Sequence, residues 1–138
     1  MILPKNHNAT SGKKAHNDNK YYVVGRIKYR SWATAVLKVR DIIVYESELV
    51  HIYNDHKKEL SKIGMTAFDF VNFIIDNYNE IREGTKNSVL LVVRRENISN
   101  YAALELFLAE KEMYKIKTAT PIKNAQLLKK KLLCANDH

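Results

Sequence analysis

The apolar pattern of this chain changes from helical to extended at the stretch SVLLVV, residues 88–93. A nearly continuous apolar run of this length is typical of a strand at the centre of a sheet. Two more strands are predicted downstream, over residues 101–109 and 113–120, with Pro121 closing the last one. Because the turns between the three strands are short, the sequence favours an antiparallel meander.

Two helices are predicted before this point. Apolar side chains recur at spacings of three and four from Ser47 to Ile63, with Ser47 as a plausible N-cap and Gly64 as the terminating residue. A second helix follows at once, because Thr66 to Asp69 resembles a capping box. Helices followed by strands predict an α+β fold with the helices on one face of the sheet.

The remaining segments give weaker signals. Residues 21–27 look like a first strand, residues 31–39 fit either a helix or a strand, and residues 41–45 fit a strand or the lead into the first helix. Residues 124–133 are predicted to form a short basic helix. Residues 1–20 have no apolar periodicity and are interpreted as a flexible leader or linker.

Length and composition fit one globular domain, which we place at residues 21–138 of the 138-residue chain. The single cysteine, Cys134, cannot form an internal disulfide. No apolar run approaches the roughly 18 residues of a membrane span, so we expect no membrane partner.

The net charge of +8 is concentrated at the two ends of the chain. Residues 1–20 carry four lysines against one aspartate, and residues 111–138 carry seven lysines against two acidic residues, while the charges between them cancel. Such a field attracts phosphate chains. The alternative is a solvated basic tail that only aids solubility.

No phosphate loop, GxGxxG, HExxH or CxxC motif is present, and we expect neither a metal nor another cofactor. Cleavage of RNA without metal needs a base, an acid and positive charge near the phosphorane. His51 and His56 are the candidate acid and base. His56 falls in the middle of the apolar face of its helix, whereas His51 lies on the side of Asp55 and Lys58, and either one could be an ordinary structural histidine.

Strand residues supply the remaining candidates. Arg94 and Arg95 end a buried strand, so one should point to each face, and a guanidinium group fits phosphate. In the last strand the alternation puts Lys115 and Lys117 on one face. The side chains on the other face are Tyr114, Ile116, Thr118 and Thr120. Alternatively, Arg94 and Arg95 are an ordinary solvated strand end, and Thr118 and Thr120 are β-branched residues with only a structural role.

The order of these features resembles the barnase/EndoU/colicin/RelE-like ribonucleases, in their phage and polymorphic-toxin branches. The resemblance covers about residues 40–133 and depends on His51-Ile52, on His56-Lys57-Lys58, on two helices and on three strands ending in YKIKTATP, residues 114–121. It implies helices packed on a curved antiparallel sheet. It also implies a metal-independent endoribonuclease that cleaves tRNA or other RNA to a 2′,3′-cyclic phosphate.

The same resemblance implies a toxin domain that acts in the cytoplasm, including that of a target cell after delivery in a larger chain, and a cognate immunity protein. The helical histidine of the family maps onto His51, with His56 as the second possibility, and its strand-borne basic residue maps onto Arg94 or Arg95. Its C-terminal hydroxyl maps onto Thr118 or Thr120, although toxin members often carry an aromatic residue at the position of Thr120. The predicted substrate contacts are Lys58, Tyr114, Lys115, Lys117 and Lys123.

Two alternatives stay open on the sequence. A non-catalytic, basic nucleic-acid-binding module explains the charged ends equally well. A protein-interaction domain is the other, and the pI of about 9.5 argues against an immunity-type partner, since such partners of basic nucleases are commonly acidic.

Overall fold

The computed structural model describes residues 6–8, 20–28, 30–33, 36–106 and 113–136, and of residues 6–8 only the backbone. Eight strands and three helices lie within these ranges. Their order is β1 (Asn6–Asn8), β2 (Lys20–Arg26), β3 (Asp41–Tyr45), α1 (Glu46–Ile63), α2 (Ala67–Asn77), β4 (Glu80–Glu83), β5 (Ser88–Val93), β6 (Ile98–Glu105), β7 (Met113–Lys123), α3 (Asn124–Leu127) and β8 (Leu132–Ala135).

The strands form one open, mixed sheet in the order β1-β2-β3-β7-β6-β5-β4-β8. Every neighbouring pair is antiparallel except β3 and β7, which run parallel. The α+β class and the meander of β5, β6 and β7 are therefore confirmed. The prediction of a wholly antiparallel sheet is wrong, because β7, the last strand of the meander, lies beside β3 and runs in the same direction.

α1 and α2 pack on one face of the sheet, which we call the helical face. Burial of apolar side chains between the two layers is the main stabilising contribution, at roughly 1.5–3 kcal/mol for each large side chain. The principal buried side chains of this core are Ile42, Val44, Ile52, Leu60, Phe70, Val71, Ile74, Leu91, Leu104 and Ile116.

The opposite face, which we call the distal face, carries a smaller apolar cluster. Leu90, Val92 and Ala103 form it together with Leu127 of α3. One helix thus lies on the distal face, which corrects the expectation that all helices share one face. The predicted helix over residues 124–133 is only a single turn, because the chain leaves it at Leu127 and pairs as β8 with β4.

Local capping signals give mixed results. Gly64 ends α1 with φ 68°, in the left-handed region that favours glycine, and Thr66 and Asp69 form the predicted capping box. Ser47 is not the N-cap: α1 begins at Glu46, with Tyr45 as the capping residue and no side-chain hydrogen bond there. The reason is that β3 leads directly into the helix, so no polar residue separates the two elements.

Strand boundaries also shift from those predicted. Asn6–Asn8 pairs with β2 as an edge strand, so a flexible leader is the wrong description for these three residues. β7 runs through Pro121 to Lys123, because β3 pairs with β7 only over residues 113–115 and the proline therefore lies on an open edge. The predicted strand end at residues 107–109 lies outside the described residues.

Candidate functional site on the distal face

A β-bulge in β7 decides which face its side chains reach. Ala103 pairs with Thr118 and Leu104 pairs with Ile116, so Lys117 is an extra residue without a partner in the register. An extra residue of this kind interrupts the strict alternation of side chains along a strand. Even-numbered residues of β7 before the bulge and odd-numbered residues after it therefore face the helices.

The predicted threonines therefore lie on the distal face. Tyr114 and Ile116 belong to the core under the helices, whereas Thr118 and Thr120 pair with distal-face residues of β6, among them Tyr101. The prediction that Tyr114, Ile116, Thr118 and Thr120 share one face is wrong, because it assumed an uninterrupted strand. Burial raises the pKa of the Tyr101 hydroxyl, which therefore remains protonated, and so able to donate, at neutral pH.

Arg94 and Arg95 point in opposite directions, as predicted. Arg94 Nη1 donates to Glu80 Oε2 at 3.0 Å on the distal face. The guanidinium carbon of Arg95 lies 5.9 Å from the ring centroid of Phe73 in α2, on the helical side.

Arg94 belongs to a charged group that the sequence analysis missed, which we call the Glu80 cluster: Glu80, Arg82 and Arg94. Arg82 Nε donates to Glu80 Oε1 at 2.9 Å, so each oxygen of this carboxylate accepts from a different guanidinium group. Glu80 is 8% exposed and Arg82 is 5% exposed. The available signal was the alternation of charged and apolar residues over Glu80, Ile81 and Arg82, which is too short by itself to predict a strand.

The Glu80 cluster has one more cation than anion. Arg82 makes a second hydrogen bond, in which its Nη1 donates to the Lys130 carbonyl oxygen at 2.7 Å. The Arg94 side chain is 33% exposed, and its described contacts leave part of the guanidinium edge facing solvent. Chemically, this arrangement presents one oriented guanidinium group to an anion.

Both candidate histidines lie on α1, on the other side of the sheet. His51 is exposed. The His56 side chain is 19% exposed, its Nδ1 lies 3.8 Å from Glu59 Oε1, and that nitrogen is buried with no hydrogen-bond partner among the described residues. A kink in α1 falls at His56, where φ is −131° and ψ is 25°. His56 is thus the more enclosed of the two rings, as the helical geometry predicts.

The predicted catalytic residues therefore form two separate groups. Arg94, Thr118 and Thr120 share the distal face, but Arg94 contacts Glu80 of β4 and the threonines lie on β7, with β5 and β6 between these two strands. His51, His56 and Arg95 lie on the helical side. The structure does not assemble the single constellation of imidazole, guanidinium and hydroxyl groups that the sequence suggested.

The predicted substrate contacts also divide. Lys115 is on the distal side, with its Nζ 3.5 Å from Glu105 Oε1 and 5.5 Å from the ring centroid of Tyr45. Lys117 occupies the bulge, and Lys123 is exposed beside a shallow hollow next to α3. These three lysines form a row along β7 that does not stay on one face: Lys115 and Lys117 are on the distal side, whereas the alternation after the bulge turns Lys123 toward the helical side at the end of the strand.

The other two predicted contacts do not join this row. Lys58 is exposed on α1, away from the distal face. Tyr114 is 3% exposed and its hydroxyl accepts a hydrogen bond from the Lys38 amide at 2.9 Å. Its burial corrects the prediction that Tyr114 offers a surface to substrate: it is a core residue.

Charge is segregated between the layers of the fold. Residues 46–77, which include α1 and α2, carry three lysines against six acidic residues, a net charge of −3. Residues 113–136, which include β7, α3 and β8, carry six lysines and no acidic residue, a net charge of +6. A polyanion is therefore attracted to β7 and the C-terminal segment, while the helical layer repels it.

Within the described ranges, no group of three or more histidine, cysteine, aspartate or glutamate side chains is placed to hold a metal ion. In the same part of the chain, no helix combines the length and the apolar character needed to cross a bilayer. Comparisons with protein-family models, with curated proteins and with solved structures give no match for this chain. The fold and the charge pattern together describe an α+β domain with an acidic helical segment and a basic C-terminal segment.

Proposed function

We propose that this domain binds RNA along β7 and the distal face of the sheet. The observation that carries the proposal is the segregation of charge: six lysines and no acid over residues 113–136, against a net negative helical layer. Neutralisation of phosphates by lysine releases condensed counterions and supplies most of the affinity of sequence-independent binding. The resemblance to ribonucleases makes RNA the first polyanion to test.

The arrangement of side chains supports a binding path for a single strand. Lys117 and Lys123 have no ion-pair partner among the described residues, so their charges are available to phosphates. Arg94 adds an oriented guanidinium group on the same face as Thr118 and Thr120. Lysine and arginine side chains together with a hydroxyl group are the contacts that proteins use to follow a nucleic-acid backbone.

Salt-dependent binding tests this proposal with matched variants. We compare Lys117→Gln/Lys123→Gln with the control Lys58→Gln/Lys62→Gln, in which two exposed lysines of α1 change instead. For a single-stranded RNA of about 20 nucleotides, losing two phosphate contacts should reduce the salt slope by about 1.4 and weaken binding roughly 25-fold at about 0.1 M salt. Equal losses in both double variants, or no loss in the first, would show that RNA does not follow β7.

A second candidate function is RNA cleavage without metal, as the resemblance implies. The specific observation in its favour is that Arg94, Thr118 and Thr120, three of the six predicted catalytic residues, share the distal face. A guanidinium group there can stabilise the charge of a phosphorane, and the Thr118 hydroxyl can orient a phosphate oxygen, whereas the Thr120 hydroxyl donates to the Pro121 carbonyl oxygen at 2.8 Å. Acid–base catalysis by His51 or His56 would need the substrate to reach the helical side.

Gel analysis of RNA incubated with the protein in EDTA separates these possibilities. Loss of cleavage in Arg94→Gln or Thr120→Val, with activity kept in His51→Ala and His56→Ala, places the reaction on the distal face. Loss in a histidine variant alone places it at α1. Intact RNA with unimpaired binding leaves the binding module as the function, and a product ending in a 2′,3′-cyclic phosphate supports the proposed transesterification.

The proposed biological setting is a toxin that acts on cytoplasmic RNA and is neutralised by an immunity protein. Expression in bacteria tests this setting directly: we expect arrested growth and degraded RNA with the wild-type chain. The cleavage-deficient variant of the preceding experiment should relieve the arrest. Arrested growth without RNA loss would argue against a nuclease toxin.

A further inference from the structure

β8 forms one edge of the sheet. It pairs with β4 on one side, and no strand of the described residues lies on the other. The Asn136 amide donates to the Asn79 carbonyl oxygen at 2.9 Å, so by the alternation of an antiparallel pair the backbone N–H of Ala135 points toward the open edge. Unpaired backbone groups of this kind can bind an added strand.

β8 and the turn before it carry exposed leucines. Leu128, Leu132 and Leu133 are 54%, 44% and 36% exposed. Leu128 directly follows α3, and Leu132 and Leu133 are the first two residues of β8. Apolar side chains grouped on a surface, with polar residues around them, mark sites of interaction with another molecule.

Positive charge accompanies the leucines. Lys129, Lys130 and Lys131 separate Leu128 from Leu132, and no acidic residue occurs in residues 113–136. A second copy of this chain would bring the same lysines against one another, which is unfavourable. Charge complementarity therefore favours an acidic occupant.

The segment is held in place by backbone contacts. Arg82 Nη1 donates to the Lys130 carbonyl oxygen, and the Glu83 amide donates to the Lys131 carbonyl oxygen at 2.8 Å. These bonds use the main chain of the lysines and leave the side chains of Lys129 and Lys131 exposed. A surface that is ordered before binding loses less entropy when a partner binds.

We propose that the outer edge of β8 binds an extended, acidic segment of another protein as an additional strand. Its backbone pairs with β8, its apolar side chains pack on Leu128, Leu132 and Leu133, and its carboxylates lie near Lys129 and Lys131. This inference does not rest on RNA binding, because it is argued from the open edge and the exposed leucines of β8, although Lys129 and Lys131 also belong to the basic segment that carries the proposed function.

A displayed library of random peptides, about twelve residues long, tests the proposal with the full chain as the target. The selected peptides should be acidic, with apolar residues at alternate positions. One selected peptide is then titrated by fluorescence anisotropy against three variants. We expect Lys129→Glu/Lys131→Glu and Leu132→Ser/Leu133→Ser each to weaken binding about tenfold or more, and the control Lys58→Glu/Lys62→Glu to leave it nearly unchanged.

Hydrogen exchange supplies a readout that a change in folding would not imitate. The peptide should slow exchange at the Ala135 amide, which the β4–β8 pairing leaves open. Peptides without an acidic bias, or full binding to Lys129→Glu/Lys131→Glu, would overturn the proposal. Two other results would also overturn it. One is a dimer in sedimentation experiments that the variant Leu132→Ser/Leu133→Ser dissociates, and the other is binding to anionic vesicles without any binding of peptides. RNA titrations of the same variants keep this outcome separate from that of the proposed function.

Discussion

Replacing Glu80 with glutamine removes one charge from the distal face with almost no change in side-chain shape. Arg82 is 5% exposed and has Glu80 as its ionic partner at 2.9 Å, so the substitution leaves a buried guanidinium group without its counterion. Breaking a buried ion pair from one side costs roughly 3–5 kcal/mol. We expect Glu80→Gln to lower the free energy of unfolding by an amount in this range.

The matched variant is Arg94→Gln, which removes a cation from the same carboxylate. The Arg94 side chain is 33% exposed and its pairing is partly screened by water, and Glu80 keeps its bond to Arg82. The expected cost is therefore that of a largely exposed pair, about 0.2–1 kcal/mol. The two substitutions should differ by about 2 kcal/mol or more although they remove partners of one interaction.

Urea denaturation followed by circular dichroism measures both variants. With an m value of about 2 kcal/mol per molar urea, the midpoint should fall by roughly 1.5–2.5 M for Glu80→Gln and by at most about 0.5 M for Arg94→Gln. The double variant Glu80→Gln/Arg82→Met should recover part of the loss, because it also removes the unpaired charge. Equal midpoints for Glu80→Gln and Arg94→Gln, or a double variant less stable than Glu80→Gln, would refute this account of the Glu80 cluster.

Three further outcomes are expected in stability measurements. Gly64→Ala should cost about 1–2 kcal/mol in urea denaturation, since φ is 68° and an added Cβ would meet no atom within 4 Å, so that only backbone strain acts; an unchanged midpoint would contradict this. Thr66→Ala should cost about 0.5–2 kcal/mol through the lost bond to the Asp69 amide, and an equal cost in Thr66→Ser, which keeps a hydroxyl group, would rule out the cap as its cause. The Tyr78 hydroxyl is buried without a hydrogen-bond partner among the described residues, so Tyr78→Phe should be neutral or stabilising at pH 7. Burial raises the pKa of Tyr78 above its ordinary value of 10.0. The contribution of this group to the free energy of unfolding should therefore be fully present below pH 10.0 and be lost as pH rises through the folded-state pKa. A smaller loss of stability at alkaline pH in Tyr78→Phe would confirm the cause.

Elements specified by neighbouring residues are predictable from this sequence. The capping box at Thr66, the terminating Gly64 and the buried strand at residues 88–93 all form where the residue pattern places them. In each case the deciding interaction is a local hydrogen bond, a backbone conformation or a run of apolar side chains. The failed cap at Ser47 shows the limit of such local signals, because a strand that runs directly into a helix overrides them.

The edge strands β4 and β8 are not predictable in this way. Each has four residues, and each depends on a partner distant in sequence, with Ile81 paired to Cys134. The apolar residues of β8 follow three lysines at a spacing that also fits a helix, and only pairing with β4 makes the segment extended. The missed Glu80 cluster follows from this, because without β4 neither Glu80 nor Arg82 has a defined face.

The bulge at Lys117 is the main reason why the candidate site differs from the prediction. Nothing in the sequence around Lys117 marks it, since bulges are commonly signalled by glycine and none is present in β7. It arises from how β6 and β7 pair, and it changes the face of Thr118 and Thr120. A pattern read with strict alternation therefore assigned these hydroxyls to the wrong side of the sheet.

The separation of the two groups of candidate residues restricts the chemistry that the domain can perform. A general acid or base must lie within about 2.6–3.2 Å of the proton that it transfers, and the guanidinium group that stabilises the same phosphorane must touch the same phosphate. His51 and His56 lie on α1, and the buried core and the sheet separate α1 from Arg94 on the distal face. A histidine and Arg94 therefore cannot contact one phosphodiester in this structure. Cleavage that required both a histidine and Arg94 would therefore mean that the packing of α1 on the sheet changes when RNA binds. Cleavage that required only one of them would identify the face on which the reaction takes place.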